Sequence, residues 1–530
     1  MFLPNPEPRI PCPVSRTPQK DSMPRIILLD GQRLTRRDFS AVVLGSRRVG
    51  LSPRARVAMQ KSRACIERII EEKQVVYGVT TGVGSLSTEH IDPAAARELQ
   101  LNVVRSHSCG VGEPLGPPET RGLLLLRANT LARGLSGVRP LIAETLCAFL
   151  NHGVHPVVPR RGSVGASGDL APLAHVALAL VGEGEVVFRG RRQRAATALE
   201  SLGMKPLALD AKEGLSLVNG TQAMLSVGLL ALREAEILAN TADVAGALSL
   251  DALRGSTRAF DERLHAARPH PGQITSARNL ARLNRGSTIN KSHQGCSRVQ
   301  DAYSLRCMPQ VHGAVRDALN YARQVFEIEM NSATDNPLVF ASAGEVISGG
   351  NFHGQPLALT LDLMAIALTQ LGGIAERRVD RLVNPLTSEL PAFLTRSPGL
   401  ESGLMIAQVV AAALASENKV LAHPASADSI PTSGNKEDFV SMGMAAALKL
   451  QPVIANVRNI LAIELLCACQ ALDLLAPLRS GKLAEQAREL VRKASPHIAK
   501  DRPLHADIAR LAGLISEGVL AGLIAPDRQI

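Results

Sequence analysis

The sequence predicts a mainly α-helical fold, a large bundle of long helices with active-site loops and a little β-structure near the N-terminus. Apolar residues make up 45% of the chain and aromatic residues only 2%, and a Leu- and Ala-rich apolar set favours helices over strands. Several apolar stretches exceed 20 residues with few helix breakers, which is typical of helices buried in a bundle or an oligomer core. The connecting loops are rich in Gly, Asn, Ser and Pro, and functional residues are normally placed in such loops.

Individual elements follow from local signals. Ile26 to Leu29, followed by Asp30-Gly31, is typical of a strand that ends in a turn. Ser52 is a suitable N-cap and Pro53 suits the first helical position, so a helix is predicted through about residue 73. A further helix begins near Pro172. The other predicted helices cover residues 93–108, 119–133, 139–151, 221–251, 312–331, 354–382, 402–421, 438–474 and 482–494.

The chain is predicted to have two parts. Residues 1–24 contain seven prolines, which prevent a helical signal core, so this stretch is expected to be a disordered tail. Residues 25–530 are expected to form a single domain, with loops in the part up to about residue 220 and the long-helix bundle and a cap beyond it. No uninterrupted apolar run reaches about 18 residues, so no transmembrane helix is predicted.

Composition excludes several classes of function. The formal net charge is +11, but the basic residues are scattered and few aromatic side chains can stack on bases, so nucleic-acid binding is not predicted. An anionic substrate carboxylate or solubility is enough to explain the charge. The eight cysteines form no CxxC pair, which favours a reduced, cytoplasmic setting, and the 13 histidines show no metal-binding spacing.

Residues 162–175 contain the most informative segment, because Ala166-Ser167-Gly168 can become an electrophile. If the chain bends sharply, the backbone nitrogen of Gly168 can attack the carbonyl of Ala166. Loss of water from the ring and from Ser167 then leaves a methylidene group conjugated to a ring carbonyl. Gly168 tolerates strained dihedral angles, and Ala166 is too small to block the bend. The triplet alone is common, and an ordinary loop is then the simpler interpretation.

The fourteen residues around this triplet resemble the prosthetic-group loop of the histidine and aromatic amino acid ammonia-lyases. In that family, Ala-Ser-Gly cyclises unaided to 4-methylideneimidazol-5-one. The resemblance extends from about Ile26 to the C-terminus. It implies one ammonia-lyase catalytic domain over residues 25–530, a carbon–nitrogen lyase with no external cofactor and no metal. It also implies a homotetramer whose active sites are built from several subunits.

Two of the chain's three tyrosines lie in polar segments rather than in apolar helices. Tyr77 lies in a Gly- and Thr-rich loop over residues 75–87, and Tyr303 lies within Gln300 to Arg306. A buried tyrosine beside a cation can act as a base, whereas a structural tyrosine only satisfies a loop carbonyl. The resemblance implies that Tyr77 removes the β-proton of the substrate and that Tyr303 stabilises the electrophile or the intermediate.

Further polar residues match family positions. Arg306 can grip a substrate carboxylate with both arms of its guanidinium, although a structural ion pair is the alternative. Asn219 precedes a helix and can cap it. The resemblance instead implies that Asn219 faces the ring carbonyl oxygen, and it places Gln300 and Phe352 in the active site. The segment 331–337 is expected to be scaffold near the site.

Two positions bear on the substrate. In the family, a pair such as Ser106-His107 accompanies histidine, and Glu437 stands where the aromatic lyases carry Gln. His107 can pair with a substrate imidazole and Glu437 can exchange a proton with it. Without the resemblance, His107 is a satisfied polar residue and Glu437 a solvated carboxylate at a helix start. Met308 and Phe439 depart from the residues usual in histidine-type members.

The resemblance therefore implies a small amino acid substrate and the non-oxidative deamination of L-histidine to urocanate and ammonia. Two alternatives remain open. One is a tyrosine or phenylalanine ammonia-lyase, or an aminomutase of the same family that returns ammonia to the β-carbon. The other is a catalytically silent relative that only binds or assembles.

Overall fold

A computed structural model describes residues 26–296 and 299–524, so the predicted tail over residues 1–24 lies outside the described residues. The predicted mainly helical fold is confirmed. The helices are α1 (Arg36–Val43), α2 (Pro53–Glu71), α3 (Ala96–His107), α4 (Pro117–Ala132), α5 (Pro140–His152), α6 (Leu170–Leu180), α7 (Ala195–Ser201), α8 (Glu213–Val218), α9 (Gln222–Ala252), α10 (Glu262–Ala266), α11 (Pro271–Leu283), α12 (Thr288–Ser292), α13 (Tyr303–Arg306), α14 (Met308–Glu329), α15 (Gln355–Val383), α16 (Met405–Leu421), α17 (Gly443–Leu474), α18 (Lys482–Ala494), α19 (His505–Ser516) and α20 (Val519–Gly522). Short 3-10 turns lie at Gly84–Leu86, Pro93–Ala95, Thr257–Phe260 and Ala392–Leu394.

The β-structure is sparse. The strands are β1 (Ile27–Leu29), β2 (Val49–Leu51), β3 (Val111–Pro114), β4 (His155–Pro156), β5 (Pro159–Arg161), β6 (Glu185–Phe188), β7 (Arg191–Arg194), β8 (Leu338–Phe340) and β9 (Glu345–Ile347). As predicted, the N-terminal strand β1 ends at a turn, and it pairs in parallel with β2. The other pairings are antiparallel: β3 with β5, β6 with both β4 and β7, and β8 with β9.

Helices α9, α14, α15 and α17 pack against one another and form the centre of the bundle. Every residue from Ile460 to Leu472 is buried, so this part of α17 is surrounded on all sides. It is apolar except for Glu464 and Gln470, whose side chains are hydrogen bonded inside the bundle. Helices α9 and α15 begin and end within one residue of the predicted ranges. The predicted start of α17 at residue 438 is five residues too early, because the chain before Gly443 forms a loop whose Met442 amide donates to the Val164 carbonyl at 2.8 Å.

Two of these helices, α15 and α17, are long and apolar enough to cross a membrane by length and composition alone. In their most apolar windows, however, 61% and 78% of the residues are buried inside the protein. The sequence contains no uninterrupted apolar run of about 18 residues, whereas the mean hydropathy of a helix tolerates isolated polar residues. Burial of this extent is what the core helices of a bundle require, so we assign both helices to the core.

A network of buried charges crosses the bundle centre. The Arg378 guanidinium donates to both carboxylate oxygens of Glu464, at 2.6 and 2.9 Å, and neither side chain is exposed. The Nδ1 atom of His312 lies 2.8 Å from Asp243. Asp243 also accepts from Arg316 at 2.5 Å. Burial lowers the pKa of His312, with partial opposition from Asp243, so its imidazole is neutral near pH 7.

Replacing Arg378 by Met should lower the melting temperature sharply, because Glu464 is then left charged and unpaired in the core. Breaking such a buried pair costs about 3–5 kcal/mol, whereas replacing both partners by apolar residues is often neutral. The double variant Arg378→Met/Glu464→Met should therefore melt well above the single variant. Arg192→Met, which breaks the exposed Arg192–Glu185 pair, is the control and should leave the melting temperature unchanged. Equal melting of the single and double variants would contradict the expectation.

Candidate active site

The Ala166-Ser167-Gly168 segment lies between strand β5 and helix α6, and one of its residues can only be glycine. Gly168 has a φ of +75°, in the left-handed region that favours glycine. A Cβ atom at this position would lie 2.1 Å from the Gly220 carbonyl oxygen. Position 168 therefore requires glycine, both because of its backbone angle and because Gly220 lies so close.

Gly220 belongs to the segment that leads into helix α9. The Gly220 amide donates to the Ser167 carbonyl at 3.2 Å, and the Asp169 amide donates to the Gly220 carbonyl at 2.6 Å. These two backbone hydrogen bonds hold the electrophile segment directly against Asn219 and Gly220. The predicted proximity of Asn219 to the segment thus has a backbone cause.

Asp169 is a buried residue of this region that sequence reasoning missed. Its carboxylate accepts from the Ser163 hydroxyl at 2.8 Å and from the Met224 amide, in the first turn of α9, at 2.9 Å. Burial raises the pKa of Asp169 to about 6, although the hydrogen bonds oppose this shift. Its place in the sequence, directly after the triplet and at the start of α6, was the available signal.

The segment faces a cavity of about 960 Å³, which we call the site cavity. Its walls come from the loop after Tyr77, from helix α3, and from the loops at residues 348–353 and 433–439. Seven of the predicted site residues line it, and they belong to six different segments of the chain. These residues are Tyr77, His107, Ala166, Ser167, Asn219, Phe352 and Glu437.

Glu437 contacts the electrophile segment directly. Its Oε1 atom accepts from the Ser167 hydroxyl at 3.2 Å, and its Oε2 atom accepts from the Thr432 hydroxyl at 2.7 Å. A backbone bridge between Thr432 and Glu437 fixes the loop that carries both residues. Glu437 lies before α17 in a loop and not at a helix start, so the alternative of a solvated helix-start carboxylate is wrong.

Tyr77 and His107 lie on other walls of the site cavity. The Tyr77 hydroxyl oxygen accepts from the Gly84 amide at 3.0 Å, and such a donor stabilises negative charge on that oxygen. The Nδ1 atom of His107 lies 3.1 Å from the Ser106 hydroxyl. Burial lowers the pKa of His107, while a backbone hydrogen bond to Val103 and the charge of Glu437 oppose this shift. His107 is therefore a neutral polar group at the cavity near pH 7.

Asn219 is held by the segment that was expected to be scaffold. Its Nδ2 group donates to Asp335 Oδ1 at 3.3 Å and to the Asn336 carbonyl at 3.2 Å. Its Oδ1 atom is buried and has no hydrogen-bond partner among the residues that the structure describes. Both hydrogens of Nδ2 are therefore used, and the atom left free is an acceptor that can take a hydrogen bond from a donor beside it.

Besides Gly168, which belongs to the electrophile segment itself, three predicted site residues do not line the site cavity of their own chain. Tyr303 begins α13 and is 69% exposed, and the Arg306 guanidinium stacks on its ring, with Cζ 4.6 Å from the ring centroid. Gln300 lines a different cavity of about 430 Å³, together with Arg254 and Arg381. A single chain therefore assembles only part of the predicted site.

Phe439 and Met308, which depart from the residues usual in histidine-type members of the family, have different surroundings. Phe439 lines the site cavity, and its ring stacks on His353 with centroids 6.2 Å apart. Met308 is fully buried and packs against α9, where a Cβ added at Gly246 would meet its sulfur at 2.4 Å. Among the described residues, no cluster of three or more His, Cys, Asp or Glu side chains is arranged to hold a metal ion.

Comparison with known proteins agrees with this geometry. The family described as "Aromatic amino acid lyase" matches residues 34–493. The chain belongs to this family. The prediction of the ammonia-lyase family, and of an amino acid ammonia-lyase that breaks a carbon–nitrogen bond, is confirmed.

Individual members of the aromatic amino acid lyase family resemble the chain over almost its whole length. A histidine ammonia-lyase from Koribacter versatilis is 59% identical over 506 residues, covering 93% of this chain and 98% of that protein. The crystal structure of histidine ammonia-lyase from Trypanosoma cruzi is similar with a TM-score of 0.88 and 43% identity, covering 95% of each chain. Tyrosine aminomutase from Streptomyces globisporus is similar with a TM-score of 0.89 and 41% identity, covering 96% of this chain and 99% of that one.

Replacing Gly168 by Ala should displace the Gly220 carbonyl and break both backbone hydrogen bonds that hold the segment, so the melting temperature should fall. Gly190→Ala is a matched control. Gly190 has nearly the same φ, +72°, but no atom lies within 4 Å of its added Cβ. It should show only the strain of a left-handed residue, about 1–2 kcal/mol. If both variants melt at the same temperature, the close approach of Gly220 contributes nothing.

Proposed function

We propose that this chain deaminates L-histidine to urocanate and ammonia, and that Ala166-Ser167-Gly168 is converted to 4-methylideneimidazol-5-one. One observation carries the proposal. The Ser167 hydroxyl donates to Glu437 inside the cavity that also holds Tyr77 and His107. A carboxylate is then within reach of the hydroxyl that must leave, and the neutral imidazole of His107 lines the same space.

The residues present fit the prosthetic group. Gly168 already has the left-handed conformation that a sharp bend requires, and Ala166 is buried beside it. Asn219 lines the same cavity, and its Nδ2 donors would have to turn away from Asp335 and Asn336 to reach a ring carbonyl oxygen. When present, the group supplies an electrophilic carbon that captures the amino nitrogen of the substrate.

The chain's own residues divide the remaining work. Tyr77 is the base for the β-proton, and the Gly84 amide stabilises the charge that develops on its oxygen. The neutral ring of His107 pairs with one nitrogen of a substrate imidazole. Glu437 pairs with the other nitrogen as a proton acceptor. Phe352 closes an apolar wall of the site cavity.

The main alternative within the family is a tyrosine- or phenylalanine-specific lyase or an aminomutase, since a tyrosine aminomutase is among the similar structures. His107 and Glu437 favour histidine, because a tyrosine or phenylalanine ring leaves most of their hydrogen bonds unmade. Leaving a buried polar group unpaired costs about 1–3 kcal/mol. The histidine ammonia-lyase relative also has the higher identity, 59% against 41%.

We further propose that residues 25–530 form one catalytic domain in the cytoplasm. The family match over residues 34–493 leaves little of this range uncovered, which supports one domain. Cys65, Cys147, Cys467 and Cys469 are buried as free thiols, which agrees with a reducing compartment.

The active form is proposed to be a homotetramer in which partner subunits bring Tyr303, Arg306 and Gln300 to each site cavity. Their positions outside the cavity of their own chain support this assembly, as do exposed apolar residues on α16. Ile406, Val409 and Val420 are 58%, 51% and 74% exposed. Several large apolar side chains on one helix indicate a surface that another chain covers. Within the assembly, Arg306 is suited to bind the substrate carboxylate.

Purified protein should convert L-histidine to urocanate, should not convert L-tyrosine or L-phenylalanine, and should weigh two water molecules less than its sequence. Ser167→Ala should abolish turnover, the mass deficit and the near-ultraviolet band of the ring, which is easily seen because the chain has no Trp. Ser87→Ala changes another serine of the same cavity and should keep all three. If the active enzyme has the full mass of its unmodified sequence, the proposed prosthetic group is refuted.

Subunit mixing tests the proposed shared site. Tyr77→Phe and Arg306→Ala should each be nearly inactive alone. If Tyr77 and Arg306 of one site come from different subunits, random co-assembly of the two variants should restore roughly a quarter of the sites. Tyr77→Phe mixed with Ser167→Ala should restore none, because both residues line the cavity of one chain. Absence of recovery in the first mixture would place both residues on the same subunit.

A further inference from the structure

We propose that Arg127, Lys212 and Asp335 form a buried charge layer, with one net positive charge, that positions Asn219 and favours negative charge on the Ala166 oxygen during ring closure. This inference rests on the proposed function, since it concerns how the electrophile is made. All three side chains are essentially inaccessible to solvent. Asp335 lies in the segment 331–337 that was expected to be scaffold, whereas Arg127 and Lys212 were not singled out by the sequence. All three act as positioning residues that do not touch the substrate.

Asp335 connects Lys212 to Asn219. The Lys212 ammonium donates to Asp335 Oδ2 at 3.2 Å and to the Ser216 hydroxyl at 2.8 Å. The other carboxylate oxygen, Oδ1, accepts from Asn219 Nδ2 at 3.3 Å and from the Asn336 amide at 2.7 Å. The orientation of the Asn219 amide therefore depends on a carboxylate that is itself held by a buried cation.

Arg127 approaches the same residue from its backbone side. One guanidinium nitrogen, Nη1, donates to the Asn219 carbonyl at 2.8 Å and to Gln222 Oε1 at 3.0 Å. A Cβ added at Gly220 would lie 2.6 Å from this nitrogen. Because Gly220 is hydrogen bonded to Ser167 and Asp169, a single glycine separates the guanidinium from the electrophile segment.

The charges in this layer do not balance, and fold stability does not explain the excess. Lys212 is paired with Asp335, whereas Arg127 donates to neutral oxygens of Asn219 and Gln222, and its Nε and Nη2 groups have no hydrogen-bond partner among the described residues. Two carboxylates lie against the electrophile segment from outside the layer, since Asp169 directly follows Gly168 and Glu437 accepts from Ser167. The excess positive charge of the layer offsets these two carboxylates. An incompletely paired buried cation destabilises a fold, so its presence next to a reactive segment indicates a role in the chemistry. Burial lowers the pKa of Arg127 to about 10, and Asp335 opposes this shift, so Arg127 is charged at neutral pH.

The backbone of Lys212 supports the same conclusion. Its φ is +69°, in the left-handed region where glycine or asparagine is at ease and a lysine is strained. Burial lowers the pKa of Lys212, while Asp335 opposes this shift. A strained backbone and a desolvated ammonium both lower the stability of the fold. Position 212 therefore requires the charge and the length of a lysine side chain.

Ring closure is the step that this field assists. The Gly168 nitrogen forms a bond to the Ala166 carbonyl carbon, and the carbonyl electron pair moves to the oxygen. That oxygen then leaves as water with the amide hydrogens of Gly168 and Ser167. The Ser167 hydroxyl leaves as a second water with its α-hydrogen. A fixed positive potential stabilises the oxyanion of the first step, and pre-oriented charges and dipoles are especially effective in a site without water.

A four-member charge series tests the inference. The layer carries +1 in the natural protein, 0 in Lys212→Met, +2 in Asp335→Asn if Lys212 stays protonated, and +1 in the double variant. Asn at position 335 retains an acceptor oxygen for Asn219. The measurements are the intact mass against time after synthesis, the near-ultraviolet absorbance, kcat, KM and the melting temperature.

We expect Lys212→Met to dehydrate slowly and incompletely, because a pre-oriented charge acts on the transition state of ring closure. The kcat per protein should fall in proportion to the missing ring, roughly tenfold or more, with little change in KM. The double variant should recover both properties. Asp335→Asn should dehydrate at least as fully as the natural protein although it melts earlier. Lys449→Met, which removes a lysine paired with Asp362 away from the site cavity, is the matched control and should dehydrate normally.

Arg127→Met sets the layer to zero charge from the other side of Asn219 and should show the same slow dehydration, so the test remains decisive if Lys212→Met does not fold. Full dehydration of Lys212→Met and Arg127→Met would overturn the inference. It would also be overturned if Asp335→Asn dehydrates as incompletely as Lys212→Met. Either result leaves the proposed function intact, because that function fails only if the natural protein shows no mass deficit or forms no urocanate.

Discussion

The close approach of two glycines, Gly168 and Gly220, is the constraint on which the candidate site depends. Neither position has room for a Cβ atom, and both backbones have positive φ angles. Their contact allows the hydrogen bonds of Ser167 and Asp169 to form with the start of α9. The electrophile segment is thereby attached to one of the most deeply buried helices of the protein.

The surrounding polar groups take their positions from that attachment. Asn219 lies beside the segment because it is the neighbour of Gly220 in the chain, and Asp169 reaches the first turn of α9 for the same reason. Glu437 approaches from the opposite direction, on a loop that is fixed by its bridge to Thr432 and by the Met442 amide. The helical bundle therefore supplies rigidity, and the loops at its end supply the chemistry.

The sequence predicted the helices well and the site unevenly, and the difference has a physical cause. Apolar runs and breakers determine α9 and α15 locally, so their ends agree with prediction within one residue. The start of α17 was wrong because contacts with Val164, distant in sequence, keep the preceding residues in a loop. Arg127 and Lys212 escaped notice because buried charges carry no local signal. Tyr303 and Arg306 lie outside the site cavity of their own chain, and their local sequence gives no signal of the cavity that each side chain reaches.

The protein contains two groups of buried charges, one with paired charges and one with an excess of positive charge. In the bundle centre, Arg378 has Glu464 and Arg316 has Asp243, while burial keeps His312 neutral. Each buried ion there has a counterion, as stability requires. Behind the electrophile segment, Asp335 is paired with Lys212, and part of the Arg127 guanidinium has no hydrogen-bond partner among the described residues. In the proposed ring closure a negative charge forms beside that excess, which accounts for the difference between the two groups.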